Sequence, residues 1–176
     1  WAVEKMKSLG FDKVWTEEVT HTQWLRGDVE AKIISPFPQN MVAIALGGSI
    51  GTGAAGIQAP IVQFDSLASL KAAKAGSLKG KIAFISFRMS REIDGRGYGP
   101  AVGGRSRGAI AAAEKGAIGV LVRSIGTDTN RVAHTGMLSY KDGVKRIPGA
   151  ALSNPDADML LNQLKRGKPV EVFLKL

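Results

Sequence analysis

The chain has 176 residues and contains no cysteine. It can therefore form no disulfide bond, carries no thiolate nucleophile and cannot hold zinc through cysteine ligands. Histidine is nearly as scarce, with only His21 and His134. Neither has an acidic residue or a second histidine at the short spacing typical of a metal site, so we predict no metal ion in this chain. No apolar run approaches the roughly 18 residues of a membrane span, and we predict none.

Aromatic residues make up only 6% of the chain, although the formal net charge is +9 and the pI is about 10.0. Scattered lysines and few aromatic rings argue against a nucleic-acid partner. Five of the ten arginines fall in one segment. They are Arg88, Arg91, Arg96, Arg105 and Arg107. We predict a local anion site there, and a solvated basic loop is the alternative.

The hydrophobic pattern of the first half predicts short elements separated by glycine and proline. The first residue is Trp1 and not Met, which we interpret as a fragment or a processed chain. Helices are predicted over 1–10 and from Asp65 or Ser66 through Ala75. Strands are predicted at 14–19, 29–34, 41–46 and 59–64, with a turn at 24–27 and a glycine-rich loop at 47–56.

The second half predicts a strand–loop–helix–strand crossover, which requires parallel strands. A buried strand at 81–85 is followed by a glycine-rich loop at 94–104 and a helix at 107–115. The next strand, at 118–122, is apolar on both faces. Further strands are predicted at 147–152 and 170–176. They flank a helix capped by Asn154-Pro155 and closed by Gly167. The predicted fold class is α/β with a mixed sheet.

Two motifs in the 47–56 loop match catalytic or cofactor patterns. Gly47-Gly48-Ser49-Ile50-Gly51 has the spacing of a nucleophile elbow. Gly51-Thr52-Gly53-Ala54-Ala55-Gly56 has the spacing of a dinucleotide fingerprint. Both motifs require a following helix, whereas Pro60 and the apolar run around it predict a strand. No pair of carboxylates forms an acid/base couple either. We therefore expect binding or regulation and no catalytic residue in this chain.

Several further motifs occur in an order that resembles a known family. They are Trp24-Leu25-Arg26-Gly27, Gly48-Ser49-Ile50-Gly51-Thr52, Gly80-Lys81-Ile82, Gly108-Ala109, Gly116-Ala117, Arg123-Ser124, His134-Thr135-Gly136 and Tyr140-x-Asp142-Gly143-Val144-x-x-Ile147-Pro148. Together they resemble the protease-associated (PA) domain of zinc exopeptidases of the glutamate carboxypeptidase kind. The resemblance covers nearly the whole chain.

The resemblance implies a PA-type swivelling β/β/α domain with a mixed sheet and flanking helices. Residues 23–176 would form this domain, and residues 1–22 would be a helix and strand at the edge of the peptidase domain. In such enzymes the residues that hold two zinc ions lie in peptidase sequence beyond the PA domain. The resemblance therefore implies no cofactor in this chain, a peptidase domain in cis as its partner, and a secreted or periplasmic location.

The resemblance also implies a substrate contact. In a related branch of glutamate carboxypeptidases, an arginine just before the PA helix contacts the substrate carboxylate, and Arg105 stands at the matching position. Arg107, His134 and Thr135 are further candidates for the same cleft. The implied function is a non-catalytic lid that shapes the cleft of a zinc exopeptidase and helps to recognise peptides. The alternative is a free-standing module that binds peptides or proteins. A lid would leave Trp1 or Trp24 exposed when it is separated from its peptidase.

Overall fold

The structure is a computed structural model that describes residues 1–176. Four helices accompany eight strands that form one mixed sheet. The helices are α1 (Ala2–Ser8), α2 (Leu67–Ala72), α3 (Tyr98–Glu114) and α4 (Asn154–Leu164). The strands are β1 (Glu30–Ser35), β2 (Gln39–Met41), β3 (Ala43–Ala45), β4 (Ile57–Phe64), β5 (Ile82–Ile85), β6 (Gly119–Arg123), β7 (Gly149–Leu152) and β8 (Glu171–Lys175). The predicted α/β fold with a mixed sheet is confirmed. No helix is both long enough and apolar enough to cross a membrane.

The centre of the sheet is parallel and its flanks are antiparallel. The strand order is β2-β1-β8-β4-β5-β6-β7-β3, and β4 to β7 run parallel to one another. Every residue of β5, β6 and β7 is buried, as expected where a parallel sheet is covered on both faces. The two outermost strands, β2 and β3, are separated in the chain only by Val42, so the sheet nearly closes on itself.

Successive residues of β5 supply two separate hydrophobic cores. Ile82 and Phe84 face the core beneath α4, whereas Ala83 and Ile85 face the core beneath α2 and α3. This alternation follows from the two-residue period of a strand. The small residues of α3, among them Ala109 and Ala112, are buried in the second core. The predicted close packing of that helix on the sheet is confirmed.

The N-terminal segment differs from its prediction. The helix over 1–10 is present as α1, but no residue of α1 is buried. The strand predicted at 14–19 is wrong, because residues 13–29 contain no strand. The turn predicted at 24–27 is also absent. A strand requires a neighbour that exchanges backbone hydrogen bonds with it, and residues 13–29 form no backbone–backbone hydrogen bond with any other segment.

Other element boundaries were decided by tertiary contacts. The strand predicted at 41–46 is divided at Val42, whose N–H donates to the carboxylate of Asp156 (2.9 Å). Helix α2 begins after Ser66, which forms a capping box with Ser69, but it ends at Ala72, before the predicted end at Ala75. The N-cap of α4 is Ser153, one residue before the predicted cap.

Candidate functional site

Arg105 lies near the middle of α3, and this corrects the prediction that it precedes the helix. The helix begins at Tyr98, so the loop predicted at 94–104 is confirmed only over 94–97, and the helix start predicted at 107 is wrong. Glycine disfavours a helix by about 1 kcal/mol per residue. Gly104 and Gly108, however, let α3 approach Ile85 so closely that a Cβ at Gly108 would lie 2.8 Å from its Cδ1. This packing outweighs the low helix propensity of the segment.

The guanidinium of Arg105 is held between its own helix and a loop. Its Nη2 donates to the hydroxyl of Tyr98 (2.8 Å), and its Nη1 donates to the backbone oxygen of Thr135 (3.3 Å). The Nε of Arg105 is buried and has no acceptor. Tyr98 precedes Arg105 by two helical turns, which places both on one face of α3. Sequence reasoning missed Tyr98 because it placed that residue in a loop.

Two further residues complete the surroundings of Arg105. Gly136 has no side chain, and a Cβ at this position would overlap the Arg105 guanidinium. Arg26 approaches Thr135 with its Nη2 2.9 Å from the hydroxyl oxygen, while its Nε donates to the backbone oxygen of Ala45 (3.1 Å). Two guanidinium groups thus meet at Thr135. In the sequence, Arg26 stood out only as part of a family motif, and no role was predicted for it.

The structure brings Arg105 and Thr135 together but separates the other two candidates. The Nε2 of His134 lies 2.8 Å from a carboxylate oxygen of Asp128. Arg107 lies on the opposite side of α3 from Arg105, in a groove between α2 and α3. Two positions along a helix correspond to a rotation of about 200°. The four candidates therefore do not form one cluster.

The predicted anion site of five arginines is not formed. Arg88 pairs with Asp158, and Arg96 pairs with its near neighbour Asp94 (2.9 Å). Arg105 is held by Tyr98 and Thr135, and Arg107 lies beside α2. The segment runs through a loop and then along a helix, so its arginines point in different directions.

Ser49 has a structural role in the loop that follows β3. Its hydroxyl accepts the N–H of Gly149 (2.9 Å) and donates to the backbone oxygen of Ile50 (2.8 Å). The loop leads into the strand β4 and not into a helix, in agreement with the sequence prediction. Neither the nucleophile elbow nor the dinucleotide fingerprint is formed.

No group of three or more histidine or acidic side chains lies close enough to hold a metal ion. His134 and Asp128 form an isolated pair. His21 lies in the irregular segment before β1 and is exposed.

A charged network lies where β5, β6 and β7 end. Arg123 is buried, with 1% of its side chain exposed, and its Nη2 donates to Asp158 (2.6 Å). Its other nitrogens donate to the backbone oxygens of Ser86 and Asn154. Burial disfavours ionisation of Asp158, but the hydrogen bonds from Arg123 and Arg88 outweigh burial and lower its pKa. Sequence analysis missed this network because its members are far apart in the chain.

The lowered pKa of Asp158 predicts a loss of stability in acid. A carboxyl group with a lower pKa in the folded state binds fewer protons there than in the unfolded chain. Its stabilising contribution is present above the unfolded pKa of 3.8 and is lost as the pH falls below that value through the folded pKa. Unfolding by urea between pH 5 and pH 2 measures this loss. The Asp158→Asn variant should show a shallower decline than the original chain, and parallel curves would contradict the prediction.

No family model matches the chain, but individual proteins and solved structures do. Carboxypeptidase Q of Xenopus laevis is 33% identical over 165 residues, which cover 94% of this chain. Carboxypeptidase Q of Mus musculus is 31% identical over 173 residues, which cover 98% of it. The chain is similar to carboxypeptidase Q. This finding confirms the resemblance to zinc exopeptidases that the motifs indicated.

The chain spans about a third of the carboxypeptidase Q relatives, 34% and 35% of their lengths. The crystal structure of a peptidase M28 precursor from Shewanella amazonensis is 57% identical and superposes with a TM-score of 0.91. It matches 99% of this chain, which covers 40% of that protein. This similarity relates the chain to part of a peptidase.

More distant structures share the fold with the carboxypeptidase Q-like chain. The aminopeptidase from Aneurinibacillus sp. strain AM-1 is 21% identical, with a TM-score of 0.57 over 85% of the chain. The zinc aminopeptidase from Bacillus subtilis is 24% identical, with a TM-score of 0.54 over 84% of the chain. At these identities the comparison establishes a shared architecture only.

Proposed function

We propose that this chain is the non-catalytic PA domain of a secreted or periplasmic zinc exopeptidase, where it acts as a lid that shapes the substrate cleft. Residues 23–176 form the PA domain, and residues 1–22 belong to the edge of the peptidase domain. The peptidase domain in cis binds two zinc ions and cleaves the peptide. The similarity to carboxypeptidase Q and to the peptidase M28 precursor supports this assignment.

The observation that carries the proposal is the exposed apolar surface of the first 25 residues. Trp1 is 93% exposed, and Phe11, Trp15, Val19 and Leu25 are each more than 60% exposed. A concentration of large apolar side chains in contact with water is typical of a surface that another protein or domain covers. Together with the similarity to part of a peptidase, this surface supports a neighbouring peptidase domain as the covering partner.

Trp24 marks the point where this surface meets the folded domain. Its indole Nε1 donates to the backbone oxygen of Ser49 (2.9 Å), and its ring lies 5.0 Å from the Arg26 guanidinium. Trp24 thus anchors the apolar segment to the loop that contains Ser49, and Arg26, two residues later, contacts the hydroxyl of Thr135. A peptidase domain that covers residues 1–25 would lie next to the surroundings of Arg105.

Within this lid, Arg105 is the residue that recognises a substrate carboxylate. A guanidinium has five N–H donors in a planar fork that fits a carboxylate. Tyr98 and Thr135 engage two of the Arg105 nitrogens from the side, and the side chain is partly exposed. Thr135 is exposed next to it and contributes a hydroxyl. Arg107 lies in the groove between α2 and α3 and His134 pairs with Asp128, so both act at the margins of the cleft.

Replacing Arg105 with alanine in the complete enzyme tests the proposal. The value of kcat/KM for peptides with a free terminal carboxylate should fall about 10- to 100-fold, since a hydrogen bond to a charged group contributes about 1.5–3 kcal/mol. The same peptides with an amidated terminus should be cleaved equally by both enzymes. Arg91→Ala is the matched control, because Arg91 is an exposed arginine from the same segment. Equal losses on both peptides would remove Arg105 from carboxylate recognition.

A further inference from the structure

Arg26 is held in one position by three contacts with the rest of the chain. Its guanidinium lies 5.0 Å from the centre of the Trp24 ring. Its Nε donates to the backbone oxygen of Ala45 (3.1 Å), and its Nη2 donates to the hydroxyl oxygen of Thr135 (2.9 Å). Trp24 is itself fixed, because its indole Nε1 donates to the backbone oxygen of Ser49 (2.9 Å). Arg26 therefore has a defined orientation although it is exposed.

The contacts of Arg26 leave part of its guanidinium available to a ligand. A guanidinium has five N–H donors in a planar fork. The two hydrogen bonds use Nε and one N–H of Nη2, which lie along one edge of this fork. The other edge, which we call the outer edge, consists of Nη1 and the second N–H of Nη2. Such an edge fits the two oxygens of a carboxylate, so Arg26 can bind an anion without giving up its place in the fold.

Arg105 contacts the same threonine from α3. Its Nη1 donates to the backbone oxygen of Thr135 (3.3 Å), while Arg26 contacts the hydroxyl of that residue. Two positively charged groups are therefore neighbours, and the ion pairs of the chain include neither of them. Like charges at short range repel, whereas one negative charge between them attracts both. This arrangement favours an anion beside Thr135.

The position of the two arginines indicates which anion binds there. Arg26 and Thr135 are exposed and Arg105 is half-buried, so a ligand reaches all three from solvent. Arg26 also directly follows the exposed apolar segment, residues 1–25, which the peptidase domain covers in the proposed lid. An anion bound by Arg26 would thus lie where the lid meets the peptidase domain, next to the substrate-binding Arg105 of the proposed function.

We propose that Arg26 binds the same substrate carboxylate as Arg105, through its outer edge. This inference rests on the proposed function, in which Arg105 recognises the carboxylate, and it adds a second residue to that recognition. Arg26 then determines specificity for peptides with a free terminal carboxylate. A purely positioning role is the alternative: Arg26 would hold Thr135 in place and act on the substrate only through Arg105.

The acid preference of the complete enzyme tests the proposal. This preference is the ratio of kcat/KM for a peptide with a free terminal carboxylate to kcat/KM for the same peptide with an amidated terminus. Arg26→Gln should lower the ratio about tenfold or more, because it weakens cleavage of the acid alone. Adding Arg26→Gln to Arg105→Ala should lower the ratio about threefold or more beyond Arg105→Ala itself. A positioning role predicts no further decrease, since Arg105 is already absent.

Arg166→Gln is the matched control. Arg166 is an exposed arginine that also stacks on an aromatic ring, with its guanidinium 4.7 Å from the centre of the Phe37 ring. It follows α4, which packs on the face of the sheet opposite α3. Its substitution should therefore leave the acid preference unchanged. Thermal unfolding of each variant shows whether it is folded, so that loss of recognition is not confused with loss of structure.

Three outcomes would overturn the proposal. They are an unchanged ratio in Arg26→Gln, equal losses of kcat/KM on acid and amide, and no further decrease when Arg26→Gln is added to Arg105→Ala. If the ratio fell in Arg105→Ala but not in Arg26→Gln, only the role of Arg26 would be refuted and the proposed function would stand. If it fell in neither variant, carboxylate recognition by Arg105 would be refuted as well.

Discussion

Replacing Asp158 with asparagine is expected to lower the free energy of unfolding by about 2–3 kcal/mol. Removing one partner of a buried ion pair costs about 3–5 kcal/mol, because the remaining charge is buried without compensation. Here that charge is the Arg123 guanidinium, whose side chain is 1% exposed. Asp158 itself is 43% exposed, so water compensates part of the loss and brings the expected effect just below that range. Equilibrium unfolding in urea at pH 7 measures it.

A double-mutant cycle separates this ion pair from other effects of the substitution. Arg123→Met removes the buried charge, so Asp158→Asn should cost much less in that background. A coupling free energy above about 1 kcal/mol between the two positions is the expected result. Asp94→Asn is the control, since its partner Arg96 is well exposed and surface pairs contribute little. A coupling near zero would contradict the role assigned to Asp158.

Replacing Gly56 with alanine is expected to lower the free energy of unfolding by about 2–4 kcal/mol. Gly56 precedes β4 with a φ of +69°, a conformation that costs an L-residue about 1–2 kcal/mol. The added Cβ would also lie 2.6 Å from the Phe173 ring and 3.0 Å from the backbone oxygen of Leu174. Both contacts are on β8, the strand that pairs with β4, so relief of the overlap requires the ring and the strand to move.

Gly53→Ala is the matched control for Gly56→Ala. Gly53 lies in the same loop with a φ of +77°, but a Cβ there would meet no atom within 4 Å. The free energy of unfolding of Gly53→Ala should therefore fall only by the cost of the positive φ, about 1 kcal/mol. Chemical unfolding of the two variants under identical conditions gives the comparison. Equal losses would show that contact with β8 contributes nothing at Gly56.

Elements with a strong local pattern could be predicted from the sequence. The strand at 81–85 and the strand at 118–122 were confirmed because continuous apolar runs fit a parallel sheet that is covered on both faces. The helix that starts near Asn154-Pro155 was also found, displaced by one residue at its cap. The alternation at 170–176 corresponds to β8, which has one face in the core.

Elements whose secondary structure depends on residues far away in the sequence could not be predicted. The residues at 14–19, among them Val14, Trp15 and Val19, suit a strand but have no neighbouring strand to pair with, so they stay irregular. The glycines at 99–104 have the composition of a loop, yet they lie in α3, which packs on β5 where Gly104 and Gly108 meet Ile85. Val42 interrupts a continuous apolar run because Asp156, 114 residues away, accepts its N–H.

In the candidate site, too, some residues could be predicted from the sequence and others could not. The sequence indicated Arg105 and Thr135 through resemblance, but Tyr98 and Gly136 acquire their roles only when α3 and the loop after β6 meet. The sequence placed Arg107 and His134 beside Arg105, whereas helix geometry and the pair with Asp128 direct them elsewhere. Spacing along the chain cannot show which side of a helix a residue occupies until the helix start is known.

The sequence by itself determined the α/β class, the parallel centre of the sheet, the absence of cysteine chemistry and the relationship to zinc exopeptidases. Those properties depend on local apolar runs, on composition and on ordered motifs, all of which can be read along the chain. Only the tertiary structure decided the extent of α3, the irregular conformation of the N-terminal segment and the Arg123–Asp158 pair. Each of these depends on groups far apart in sequence, whose burial and hydrogen bonding exist only after the sheet and helices pack together.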